Sequence, residues 1–231
     1  MGGRGAGRSR PSRVEAVVFD FDGTIADTRI DFGHMRRLVV EMLTRRGLWR
    51  EDLAERRYVL EIVAAGARAA EDKGEDPRGV LGEAEALIRG IEMDAARRAP
   101  LLDGAAEALS RLRQAGMRTG IITRNCAEAV GVVLSRFPLE VDVLIPRDDA
   151  PLIKPSAAHL LQALEALGAR PDRSALVGDH VTDVQCARAA GATAVALVGA
   201  SSSAEELREA GADYVALSHR EVVGCLLDAR V

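Results

Sequence analysis

Lysine is scarce in this chain. Of 31 Lys and Arg residues, only Lys73 and Lys154 are lysine. Arginine elsewhere reflects a compositional drift. A lysine standing against that drift marks a place where a compact ammonium matters, because the two cations are not interchangeable. Aromatic residues make up only 3% of the chain, so a core must be built from Ala, Val, Leu and Ile within the 48% hydrophobic content. The cysteines, Cys126, Cys186 and Cys225, are odd in number and widely spaced. They form no paired motif, which excludes a disulfide framework or a zinc site and points to a reducing cytoplasm. They read as small buried hydrophobes. No apolar run reaches the length needed to span a bilayer, so no membrane association is expected. The net charge of −4 gives no reason to expect nucleic acid as a partner. Residues 1–13 are Gly, Arg and Ser with almost nothing apolar. They read as a disordered basic tail without the apolar stretch of a secretory signal.

What is present is organised around Val14–Thr24. Val17, Val18 and Phe19 suit a buried strand. Asp20 and Asp22 do not, and they mark its end. If the backbone stays extended, their carboxylates point the same way, about 7 Å apart, with room for a metal ion or a phosphoryl group. Gly23 allows a sharp turn and the approach of its bare amide to a ligand. Alone, the stretch is equally compatible with a strand and an acidic turn.

Past Asp27 the texture changes. Residues 29–98 hold no convincing strand. Met35, Leu38, Val39, Met42 and Leu43 recur at helical spacing, as do Val59, Leu60, Ile62 and Val63, then Leu81, Ala84, Leu87, Ile88 and Ile91. Gly47, Gly66, Gly74 to Pro77 and Gly90 offer breaks. The segment reads as an inserted all-helical domain of three to four helices. From Pro100 a β/α alternation returns, with strands expected at 117–122, 141–145, 174–177, 194–198 and 214–217. Ala115-Gly116, Ala190-Gly191 and Ala210-Gly211 each end a helix just before a strand. That rhythm belongs to a Rossmann-like, doubly wound parallel sheet of the α/β class, built from residues 14–28 and 99–231.

In such sheets ligands bind at the carboxyl ends of the strands. Here the first strand ends at Asp20, the second at Thr123 and the fourth at Asp179, while Lys154 follows the third. Taken singly, Thr123 and Asn125 could be helix caps, Lys154-Pro155 a plain loop, and Asp179 and Asp183 residues that charge a helix terminus. Taken together and in order, they resemble the haloacid dehalogenase superfamily. Asp20-Phe21-Asp22-Gly23-Thr24 is similar to its first motif, Ile121-Ile122-Thr123 to its second, Lys154-Pro155 to its third, and Gly178-Asp179-His180-Val181-Thr182-Asp183 to its fourth. The helical insertion resembles the cap of its phosphoglycolate phosphatase and β-phosphoglucomutase branch, and the whole likeness covers nearly all of the chain after Arg13.

The resemblance implies a phosphatase acting on a small phosphorylated metabolite. Asp20 would be the nucleophile and Asp22 the general acid/base. Mg2+ would be held by the Asp20 carboxylate, the Asp22 carbonyl and Asp179. Thr123 and Lys154 would bind phosphate, with Asp183 behind them. An acid at position 22 suits an ester, whose leaving oxygen needs a proton. His180 is expected to point away from Asp179, and His34, His159 and His219 to lie on the surface or pack. Arg36, Arg37, Arg45, Arg46, Arg56 and Arg57 are the insertion's candidate anion contacts. Two rivals remain open: a sugar phosphomutase of the same architecture, and a phosphate-sensing or scaffolding protein without turnover.

Overall fold

The computed structural model describes residues 14–228, so the expected tail at 1–13 lies outside the described residues. Two compact units emerge. One takes the described chain up to Thr28 and from Ala99 onward; the other is Arg29–Arg98.

The first unit is a six-stranded, wholly parallel sheet. Its strands are β1 (Ala16–Phe19), β2 (Arg118–Ile122), β3 (Val143–Ile145), β4 (Ser174–Gly178), β5 (Thr193–Leu197) and β6 (Tyr214–Ala216), in the order β3-β2-β1-β4-β5-β6. The chain builds outward from β1 on one side, then returns to lay β4 on the other. That reversal is a topological switch point, and it falls at the carboxyl end of β1. Phe19 pairs with Ile121 on one side and with Val177 on the other. The residues just past all three strand ends are thereby drawn together.

Side chains alternate across β1. Ala16 and Val18 join a cluster with Leu160, Ala163 and Leu164 of α6 (Ala157–Ala166) and Val184 and Ala187 of α7 (Val181–Ala190). The remaining helices of this unit are α4 (Ala105–Gln114), α5 (Ala127–Arg136), α8 (Ala204–Glu209) and α9 (His219–Asp228). The expected strand at 141–145 starts two residues late, because Asp142 does the work of a strand residue with its side chain. Its Oδ2 accepts from Thr119 N at 2.7 Å while its own N–H donates to the Thr119 carbonyl at 2.8 Å. Asp213 repeats this before β6, accepting from Ala194 N at 2.8 Å and donating to Ala194 O at 2.9 Å. Each is held by an arginine, Arg113 on Asp142 and Arg188 on Asp213. The two outer strands of the sheet are therefore entered by the same device.

The second unit holds α1 (Phe32–Arg45), a short 3-10 turn at Glu51–Leu53, α2 (Val59–Asp72) and α3 (Pro77–Ala96). Asp31 caps α1, accepting from His34 N at 2.7 Å; Asp76 caps α3, with Pro77 at its first position. The unit has its own core of Met35, Val39, Met42, Leu43, Ile62, Val80, Ala84 and Ile88 among others. Two expected breaks are not breaks. Gly66 and Gly90 lie inside α2 and α3. Gly66 is there for packing, since a Cβ on it would overlap the Leu43 side chain. Among the described residues, no helix is long and apolar enough to cross a membrane.

Candidate active site

The apolar run of β1 delivers Asp20 to the switch point, where its N–H still donates to Val177 O at 2.8 Å. The backbone then coils instead of staying extended. The Phe21 carbonyl accepts from Ile25 N at 2.8 Å and Ala26 N at 2.9 Å, and buried Phe21 anchors the turn. Gly23 takes φ +79°, and a Cβ there would overlap the Asp179 carboxylate. Its amide is engaged with Ala26 O at 2.8 Å. The expected role for Gly23 is therefore corrected: the glycine makes room for Asp179, and its N–H is spent on the turn.

The two carboxylates of the opening motif face different partners. Asp20 is in contact with the Lys154 ammonium. Asp22, half-buried, accepts from Thr123 Oγ1 at 3.0 Å and from Asn125 Nδ2 at 2.9 Å. Lys154 is 2% exposed and also pairs with Asp183 at 2.7 Å. Burial alone would lower the lysine's pKa, but Asp183 and Asp20 outweigh it and the net shift is upward. The ammonium is held charged. Burial raises the pKa of Asp20 well above the usual range; Lys154 opposes this, while Asp183, Asp22 and Asp179 add to it. Asp22 is raised by burial as well, against the hydrogen bonds from Asn125, Thr28 and Thr123.

Asp179 and Asp183 are four residues apart, but only Asp183 is in the helix. Asp179 precedes α7, whose N-cap is His180. Asp183 sits in the first turn and accepts from His180 N at 3.1 Å, so it caps the helix and also pairs with Lys154. The His180 ring turns to Thr182, accepting from its N–H at 3.2 Å. Both oxygens of Asp179 are buried without a hydrogen-bond partner. Burial pushes its pKa up to about 6, with the nearby Ser201 side chain opposing the shift and Asp183 adding to it. One carboxylate oxygen each from Asp20, Asp179 and Asp183 lies within 4.8 Å of the others. An all-oxygen, all-anionic donor set suits a hard cation such as Mg2+ or Ca2+. The orphaned Asp179 oxygens are what such a cation would satisfy.

Two functional neighbours have no local sequence signal. His159 is fully buried; its Nδ1 accepts from Lys154 N at 3.3 Å and its Nε2 donates to Ile145 O at 3.1 Å. Burial lowers its pKa to about 4, with the Lys154 charge adding to the effect. The neutral ring ties the backbone of Lys154 to the end of β3. Asn125 is the other neighbour. It does not cap α5: Cys126 stands at that position, and Asp148 instead accepts from Ala127 N at 2.8 Å. Of the remaining histidines, His219 is buried and donates to Thr24 O at 2.7 Å, and His34 is exposed. Cys126 and Cys186 are buried as expected, and Cys186 is pushed up to about 12 by burial; Cys225 is only half-buried.

The helical unit's candidate arginines are mostly occupied within that unit. Arg36 donates to the carbonyls of Arg56 and Ala54, both at 2.7 Å. Arg45 and Arg46 pair with Glu83. Arg57 lies over the Tyr58 ring, 5.8 Å from its centroid. Arg56 keeps a buried Nε without a hydrogen-bond partner.

Residues 17–197 match the model of a family described as haloacid dehalogenase-like hydrolase. A phosphoglycolate phosphatase of Caulobacter vibrioides is 31% identical, over 89% of this chain and 88% of that protein. An N-acetylmuramic acid 6-phosphate phosphatase of Pseudomonas aeruginosa is 29% identical, over 93% of this chain and 95% of that one. The crystal structure of a HAD family hydrolase of Deinococcus radiodurans, with bound phosphate and sodium, superposes with a TM-score of 0.62 at 25% identity, covering 94% of this chain and 97% of that one. With the motif aspartates gathered at the switch point of a parallel sheet, the chain belongs to the haloacid dehalogenase-like hydrolases and is an enzyme of their phosphatase kind.

Proposed function

We propose that the chain hydrolyses a small phosphomonoester in two steps through an aspartyl-phosphate on Asp20, with magnesium as cofactor. The observation that carries this reading is Asp179, whose two buried oxygens lack partners beside an Asp20 already contacted by a buried ammonium. Asp20, the Asp22 carbonyl and Asp179 would hold the metal. When bound, the metal supplies the positive charge that lets an anionic carboxylate approach an anionic phosphate.

The protein's own groups divide the work. A carboxylate oxygen of Asp20 attacks phosphorus, the ester P–O bond breaks, and the leaving oxygen takes a proton from Asp22. Water then gives its proton to Asp22 and attacks the phosphorus of the acyl phosphate. Inorganic phosphate departs and Asp20 is restored. Lys154 has three N–H donors; Asp20 and Asp183 take two, leaving one for a phosphoryl oxygen. Thr123 offers its hydroxyl to another. Asp183 keeps the ammonium in place. Residues 29–98 act as the cap that selects the substrate, which fits the family resemblance of this insertion. The two relatives described above are named for phosphate esters of organic acids, phosphoglycolate and N-acetylmuramic acid 6-phosphate. A phosphorylated carboxylic acid is therefore the first substrate class to test.

The test is phosphate release from a panel containing both compounds, an alkyl phosphate and an aryl phosphate, before and after chelation. Turnover should vanish in chelator and return with Mg2+, and only weakly with Ca2+, which accepts a larger and looser shell. Full activity in chelator would contradict the metal assignment. Sugar-phosphate isomerisation without phosphate release would contradict hydrolysis.

A further inference from the structure

A general acid works only if it is aimed, and the turn after β1, with its isolated bridge between Asp22 and Ala26, holds the backbone of Asp22 but not its side chain. Three side chains donate to its carboxylate: Thr123, Asn125 and Thr28. They are not equivalent. Thr123 has a single O–H proton. Once that proton goes to a phosphoryl oxygen, as the functional reading requires, it no longer serves Asp22. Thr28 is the last residue before the helical unit and belongs to the connecting segment. Asn125 has neither weakness.

The Asn125 side chain is 1% exposed and fixed from both sides. Its Oδ1 accepts from Cys126 N at 2.8 Å, which settles which end of the amide faces which way and leaves Nδ2 toward Asp22 Oδ1 at 2.9 Å. Its backbone N–H donates to Thr123 Oγ1 at 3.0 Å, and its carbonyl accepts from Arg147 N at 3.0 Å. Asn125 is thus locked to the amino end of α5 and to the turn after β3. In the proposed function its amide is not among the phosphate-binding groups, so it stays with Asp22.

We propose that Asn125 is the positioning residue of Asp22, holding its carboxylate in the orientation for proton transfer while Thr123 is drawn away to the substrate. The proposal rests on the acid/base reading of Asp22. It explains why the residue before the α5 cap is an amide, with a donor at one end for Asp22 and an acceptor at the other for the Cys126 N–H.

The experiment compares kcat/KM for an alkyl phosphate and a nitrophenyl phosphate in the full-length wild type, Asn125→Ala, Asn125→Ser and Asp22→Ala, all assayed with Mg2+. Asn125→Ser keeps a hydroxyl near the Cys126 N–H but is too short to reach Asp22. A nitrophenolate leaves without a proton, whereas an alkoxide does not. Misplacing a reacting group by about 1 Å can cost about 100-fold. Both Asn125 variants should therefore lose on the order of 100-fold with the alkyl ester and only a few-fold with the aryl ester. A purely structural role for Asn125 would lower both by the same factor, and equal losses in a folded variant overturn the proposal, as does wild-type behaviour. The reading beneath it fails separately: Asp22→Ala would then show no split between the two esters.

Discussion

In the α/β unit Lys154, Asp20, Asp179 and Asp183 are all buried together, whereas the helical unit's Arg45 and Arg46 meet Glu83 with side chains 34% to 69% exposed. The chemistry of the contacts is similar and the physics is not. An exposed pair is screened by water and gains about 0–1 kcal/mol. A buried set is costly to desolvate, and breaking it leaves an uncompensated charge worth about 3–5 kcal/mol. Nothing in folding alone favours three carboxylates within 4.8 Å of one another. The cluster shifts its own titrations: burial raises Asp20 and Asp179, and Asp183 and Asp20 hold Lys154 charged. The helical unit is held by its own aliphatic core instead, with its charges outside.

The largest effect should come from removing the one ammonium in the buried set. Lys154→Met is expected to abolish turnover and to lower unfolding free energy in metal-free buffer at pH 7 by about 3–5 kcal/mol. The deficit should shrink as pH falls from 7 toward about 4 and be small below it, because the orphaned buried carboxylates, whose pKa is raised in the folded protein, are then protonated in the unfolded chain too. Chemical denaturation across pH measures both. A loss under 1 kcal/mol at neutral pH would place Lys154 in the same class as the surface arginines.

An intermediate effect belongs to His159. Its folded pKa of about 4 lies below the ordinary value of 6.5, so between those values the unfolded chain binds the proton and the folded protein does not. Its contribution to stability is therefore whole above pH 6.5 and is lost as pH falls toward 4. A displacement from 6.5 to about 4 corresponds to about 3 kcal/mol. His159→Asn, compared with wild type over that range, should be less pH-dependent by this amount. Parallel stability curves would mean that the ring is not held neutral.

How much of this was legible in the sequence depended on distance along the chain. The β1 run and the helical insertion are patterns of neighbouring residues, whereas Thr123, Lys154 and Asp179 are ambiguous in their own windows and legible only through their order after Asp20. The roles of Asn125 and His159 are legible in neither way. The partner of Asn125 is 103 residues away, and His159 acts on Lys154 through a main-chain N–H that any residue carries. Gly66 is ambiguous in the sequence because a break and a helix contact need the same small residue. The start of the strand at 143 is hidden in the sequence because Asp142 copies a strand hydrogen bond with a side chain.

The smallest effect is expected where the comparison predicts indifference. Glu83→Gln removes the negative charge shared by Arg45 and Arg46, and should change stability by less than about 1 kcal/mol and leave phosphate release from an aryl ester intact. A larger loss would mean that the exposed pairs of the helical unit do more than surface pairs do.

The central claim is that Asp20 and Asp22 divide one reaction between a covalent step and a proton step. The most direct measurement is mass spectrometry of Asp22→Ala quenched with acid during turnover of a nitrophenyl phosphate. The first step needs no proton for this leaving group and the second needs Asp22 as base, so the account predicts a burst of nitrophenol and a phosphoryl group trapped on Asp20. No burst and no adduct, or an adduct on another residue, would contradict it.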